Sequence, residues 1–291
     1  MRTAIALVGV VVSLHGVSAK NGRPSPTSGR TPAGLTRRIP SRAAGARSGS
    51  AFAASVEHLD AAERERAVLR EILDGNIPSF LRTLAPVELT SHGATSTIFV
   101  MPDYLAIGSD EDYLRIPMNL PTATTIAEAF GFVLPTRKMV NAIYAQAAHR
   151  FVPHPLPAGP RMTSTEYYRT HNSLIEQARR AAGVALGVLV SGHKKDVVLT
   201  NLLTRNPGRI AIFGWHRENG VPIQPLSTVH GACYEDYSHG IRLVADQAWA
   251  DGELRPVRAL LTDAATAAIV SDEGVVRVPA LPAANACAIA H

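Results

Sequence analysis

Hydrophobic and polar positions change their period several times along the 291-residue chain. The run Ala4–Leu14, AIALVGVVVSL, is apolar throughout and follows a single positive charge at Arg2. Val17, Ser18 and Ala19 close it with small residues. A charged start, a short apolar core and an A-x-A-like end predict a secretory signal peptide over residues 1–19. The run is shorter than the about 20 apolar residues that span a bilayer. The pattern then disappears. Residues 20–50 are mostly Arg, Pro, Gly, Ser, Thr and Ala. So few large apolar side chains cannot offset the entropy of ordering, and this basic segment is predicted to be disordered.

A helical period begins at Asp60. Asp60 and Glu63 form a capping-box pattern, Val68, Leu69, Ile72 and Leu73 share one face, and Gly75 supplies a stop. The runs TSTIFVMP, DYLAIG and DYLRIP read as short strands punctuated by Asp, Gly, Ser and Pro. Pro121-Thr122 and Pro135-Thr136 open two further helices, ending near Phe130 and His149. The Pro-rich connector FVPHPLPAGP leads to a longer helix, about Ser164 to Ala182. Then come the β-forming runs VALGVLV, DVVLTNLL, RIAIFGW and GIRLV, with histidines between them. These patterns predict an α+β protein. A helix-and-strand part over residues 51–160 precedes a mainly β part over 161–291, and the two parts are compatible with one domain.

Charge changes one inference. The chain carries 29 Lys and Arg against 24 Asp and Glu, a net +5. Eight of those bases and no acid lie in residues 1–50, which leaves 21 bases against 24 acids for the rest. The folded part is thus slightly acidic and offers no basic face for nucleic acid. G-x-G-x-x-G and G-x-x-x-x-G-K-[ST] are both absent, so a nucleotide cofactor is not expected. Two cysteines, Cys233 and Cys287, stand far apart. In a secreted chain they form one disulfide or remain as two thiols, and Cys233 as a thiolate would be a nucleophile.

The candidate chemistry lies between residues 184 and 244. Four of the 11 histidines fall there, His193, His216, His230 and His239, each at a strand end or beside glycine. Strand ends meet at the rim of a sheet, so the four are expected to converge. His193 and Asp196 are spaced to place an imidazole by a carboxylate; otherwise SGHKKD is a solvated turn. His230 and His239 bracket a polar segment with Glu235, Asp236, Tyr237 and Ser238. The candidate catalytic residues are His193, Asp196, His230, Ser238 and His239. The candidate metal ligands are His193, His216, His230, His239 and Asp236. Neutral imidazoles with a carboxylate suit a divalent ion such as zinc with an open water position. H-E-x-x-H and G-x-S-x-G are not met.

The segment SHGIRL, Ser238–Leu243, resembles the SHGC-I-R-L motif of the L,D-transpeptidase family, with His230-Gly231 as the counterpart of that family's upstream His-Gly. The resemblance covers fewer than twenty residues. It implies a cysteine nucleophile after Gly240, where this chain has Ile241, so transpeptidase activity does not carry over. Secretion and the His/Asp cluster together predict a hydrolase acting on an extracellular or cell-wall polymer or peptide. The alternative is a non-catalytic secreted binding protein in which His230–His239 is a recognition loop.

Overall fold

The computed structural model describes residues 31–91, 93–277 and Cys287. The signal-peptide segment, residues 20–30 and most of the chain after residue 277 lie outside them. Two sheets carry the architecture. The first takes β1 (Ala85–Ser91), β2 (Ala94–Val100), β12 (Val244–Ala250) and β13 (Glu253–Arg255) in that order, with β5 (Phe132–Val133) also paired to β12. The second has the order β10 (Pro222–Ser227), β9 (Ile212–His216), β8 (Lys195–Val197), β11 (His239–Gly240). Two small ladders join β3 (Ala106–Gly108) to β4 (Tyr113–Arg115), and β6 (His149–Arg150) to β7 (Val190–Ser191). The protein is therefore α+β, helical at its start and strand-rich toward its C-terminus. No helix among the described residues is long and apolar enough to cross a membrane.

The pairing of β2 with β12 joins residues from both halves of the chain. Alternation explains the β1–β2 hairpin: Val87 and Leu89 point inward while Glu88 and Thr90 face water. One apolar cluster then runs from Ile39 to Val276.

The helices begin where side-chain oxygens meet free N–H groups. α1 (Gly49–Val56) is capped by Ser48. α2 (Ala61–Leu73) has the full Asp60–Glu63 capping box. α3 (Leu120–Phe130), α4 (Arg137–Gln146) and α5 (Thr165–Ala181) are capped by Asn119, Thr136 and Ser164. α6 (Leu202–Arg205), α7 (Val257–Thr262) and α8 (Ala267–Val270) are short, and α7 and α8 pack on the first sheet.

Two expectations are corrected. Residues 31–50 are not a detached tail. Ile39 is buried, Arg42 Nε donates to Asn76 Oδ1 at 2.9 Å, and Arg82 donates to the carbonyls of Ile39 and Pro40. Composition misleads there because the partners that bury Ile39 and satisfy the backbone come from distant parts of the chain. The run VALGVLV is also not a strand: only Val190 of it enters one, in β7. Gly183 and Gly187 have φ of +64° and +81°, a left-handed backbone that breaks the extended path.

One glycine sets how closely the site strand approaches the body. A Cβ on Gly240 would stand 2.5 Å from the ring of Tyr104 and 2.8 Å from Lys194 Cβ. Gly240→Ala is expected to cost about 1–3 kcal/mol by overpacking. Thermal melting checks this, and an unchanged midpoint would mean that Tyr104 retreats freely.

Candidate functional site

Parallel pairing of β8 with β11 sets Lys195 opposite His239 and Asp196 opposite Gly240. Successive side chains alternate between sheet faces. The pairing therefore puts Lys195 and His239 on one face, and Asp196 on the other beside the glycine that admits Tyr104. The sequence-predicted site residues accordingly separate into four places.

On the Lys195 face, His239 is buried and stands 3.8 Å (Nε2) from Asp236 Oδ2. Among the described residues neither ring nitrogen of His239 has a hydrogen-bond partner. Asp236 Oδ1 accepts from Ser238 N at 2.8 Å and from Ser238 Oγ at 2.5 Å. Its Oδ2 accepts from Tyr234 Oη at 3.1 Å. His230 stacks on Tyr234 with ring centroids 4.1 Å apart and lies 6.5 Å from His239. His230, Tyr234 and Lys195 are half-buried and form the open side of this group.

Burial pushes the His239 imidazole down to about 4, against the pull of Asp236, so it is neutral at pH 7. Burial pushes the Asp236 carboxyl up, but His239, the Ser238 hydroxyl and Lys195 outweigh it and hold the group below its ordinary value. The arrangement is a neutral imidazole beside an ionised carboxylate, as general acid–base chemistry requires. Ser238 is fully buried and committed to Asp236, which leaves it no role as a nucleophile in this arrangement.

His193 stands elsewhere. Its Nε2 is 2.9 Å from Asp103 Oδ1, and Asp103 Oδ2 accepts from Arg115 Nε and Nη2 at 2.9 and 2.6 Å. Arg115 also reaches Glu176 at 2.9 Å. The network is interior and electrostatically closed, apart from His193 Nδ1, which has no partner. Asp196 occupies the third place, where Tyr104 Oη donates to it at 2.8 Å and Arg242 Nε lies 3.8 Å away. His216 occupies the fourth, stacked on Tyr144 at 4.3 Å with Nε2 3.2 Å from Asn141 Oδ1.

The expected convergence of four histidines is thus corrected. Only His230 and His239 approach one another, with Asp236 and Ser238. The His193/Asp196 pairing fails because the two side chains are bonded to different partners. The metal-ligand set His193, His216, His230, His239 and Asp236 is not assembled. Among the described residues no group of three or more His, Cys, Asp and Glu side chains is placed to hold a metal ion. SGHKKD is no solvated turn: Lys194 is buried, donates to the Tyr237 carbonyl at 2.6 Å, and is pushed by burial down to about 7. Cys233 is bonded to Cys287, which removes the thiolate reading.

Compared with known proteins, the chain matches no family model, no curated protein and no solved structure. The resemblance to L,D-transpeptidases rests on His230-Gly231 and Ser238–Leu243 alone.

Several residues that shape the site went unread in the sequence. Asp103 and Arg115 lie far from the histidines along the chain, in ordinary strand punctuation. Two cavities open away from the His239 group. A polar one of about 250 Å³ is lined by Asp112, Tyr113, Asn172, Glu176 and Arg180, and a small one of about 40 Å³ by Leu134, Leu199, Leu261 and Arg258.

The buried imidazoles predict acid sensitivity. Burial holds His193, His216 and His239 each near 4, and His171 lower still, against 6.5 for the free side chain. Below pH 6.5 the unfolded chain takes up protons that the folded chain refuses. Their contribution is therefore complete above pH 6.5 and is lost as the pH falls toward 4. Burial raises Asp196 to about 6 and Glu65 to about 8, which acts in the opposite direction as the pH climbs. Burial raises Glu235 as well, so four imidazoles stand against three carboxyls in this window, and the urea midpoint should drop between pH 6.5 and 4.5. A midpoint that rises instead would contradict neutral buried imidazoles.

Proposed function

We propose that the protein is a secreted hydrolase of an extracellular or cell-wall polymer, working by general acid–base catalysis at His239. One observation carries the reading: a fully buried imidazole has neither nitrogen bonded among the described residues and stands 3.8 Å from a carboxylate. Buried polar atoms are nearly always paired, and an orphaned pair on one ring points to a partner that is supplied from outside. In the reaction His239 takes a proton from the attacking water as the scissile bond is hydrated, then returns it to the leaving group. Asp236 steadies the imidazolium between these steps. Tyr234 and Ser238 hold the carboxylate in place, and the His230–Tyr234 stack must shift to admit substrate. Of the two routes drawn from the sequence, the metal-free one is favoured because the other imidazoles are held by their own neighbours.

Full burial of His239 and Ser238 favours a second reading, a non-catalytic secreted binding protein with His230–His239 as its recognition loop. Dye-labelled cell-wall preparations, soluble glycans and peptides distinguish the two. Release of soluble fragments, unaffected by a chelator, supports the hydrolase. Retention of protein on a polymer without release supports the binding protein. Loss of all release on chelation would return the metal-dependent route.

A further inference from the structure

Lys195 is the one lysine on the His239 face whose ammonium makes no direct bond among the described residues. Its ammonium lies 5.1 Å over the ring of Trp215. It is half-buried, and among the described residues it makes no hydrogen bond or ion pair through Nζ. Neighbouring interior cations are all engaged. Lys194 donates to the Tyr237 carbonyl, Arg242 to those of Met101 and Val190, and Arg64 to Glu235. Asp236 is near enough for Lys195 to act on its carboxyl, but its oxygens are already taken by Ser238 and Tyr234. Partial burial of an unpaired ammonium is unfavourable, so the position calls for an anion.

The platform beneath it is unusual. Trp215 has φ +55°, one of two non-glycine residues with positive φ among those described. Such a conformation costs a bulky residue on the order of 1–3 kcal/mol and persists where the surroundings impose it. The Trp215 N–H donates to the Lys194 carbonyl at 3.1 Å, and its indole Nε1 is buried with no partner. The strained backbone turns the indole under Lys195, where the ring face attracts the cation and fixes it on the site side. The register then places His239 directly across from Lys195, one inter-strand spacing away.

We propose that Lys195, seated on Trp215, is the subsite that receives a carboxylate of the substrate beside His239, so that the molecule bound here is an acidic one. This rests on the reading of His239 as the reacting centre. The carboxylate can belong to an acidic sugar or to a peptide C-terminus.

The test follows Trp fluorescence of the intact protein during titration. N-acetylmuramic acid is compared with N-acetylglucosamine, which lacks the lactyl carboxylate, and D-alanyl-D-alanine with its C-terminal amide. One acid should bind saturably and at least about tenfold more tightly than its uncharged counterpart, as expected for a charge-assisted hydrogen bond. The acid that does so identifies the source. Lys195→Met should abolish the preference and Lys195→Arg should retain part of it, with Lys195→Gln replacing the first if it does not fold. Equal binding of acid and neutral probes, no binding of either acid, or an undiminished preference in Lys195→Met overturns the proposal. If acid preference is present but His239→Leu keeps full hydrolytic activity, the reading of His239 as the reacting centre fails and the carboxylate subsite stands.

Discussion

His239→Leu is expected to abolish turnover while leaving the fold at least as stable. Removal of a general acid–base typically costs about 10²–10⁴ in rate. Leucine fills a similar volume, so little cavity is created. The change also deletes two buried nitrogens that no group among the described residues satisfies. An unpaired buried polar atom costs about 1–3 kcal/mol, so its removal does not weaken the fold. A histidine kept for structure would behave in the opposite way, since leucine would strand the groups it had satisfied. Paired measurements of melting temperature and fragment release separate the cases. Early melting with activity tracking the folded fraction would make His239 a scaffold residue.

Arg115→Met is expected to be the most destabilising single change among the polar residues. Arg115 is 1% exposed and sits between Asp103, whose oxygen it reaches at 2.6 Å, and Glu176, at 2.9 Å. Asn172 Oδ1 accepts a further bond from its Nη1 at 3.1 Å. Burial pushes the Asp103 carboxyl up, but Arg115 and His193 overcome this and hold it far below the ordinary range. Methionine preserves much of the volume and removes the only cation among the described residues that is bonded to both carboxylates. Breaking a buried ion pair from one side costs about 3–5 kcal/mol. The two carboxyls then gain protons more readily, so the deficit should be smaller at pH 5 than at pH 7. Urea titration of both proteins at the two pH values checks this. A deficit under about 1 kcal/mol, or one independent of pH, would mean that the network is hydrated or able to rearrange.

Local rules were legible because their causes are local. Asp60 and Glu63 marked the start of α2, and Thr136 and Ser164 those of α4 and α5, since a cap is a bond to an N–H two or three residues away. The β-branched and aromatic run in TSTIFVMP marked β2 because such side chains suit an extended backbone locally. The grouping before Gly240 was legible for the same reason: Asp236, Ser238 and His239 are close in the chain and remain close in space.

What the sequence determined by itself was an α+β chain with capped helices and no nucleotide loop, and a local His/Asp group at residues 230–239; its slightly acidic balance does not survive the docking of residues 31–50, whose Arg37, Arg38, Arg42 and Arg47 offset it. Tertiary structure decided the rest. Whether four histidines share a site depends on which face of a sheet each occupies and which partner arrives there. Asp103 drew His193 into the interior network from 90 positions away. Tyr144 took His216 into a stack, and parallel pairing of β8 with β11 turned Lys195, not Asp196, toward His239. The pairing of Cys233 with Cys287 likewise required the chain to return across 54 residues. Such contacts are fixed by strand pairing and burial of the whole chain, and the spacing of residues along it does not encode them.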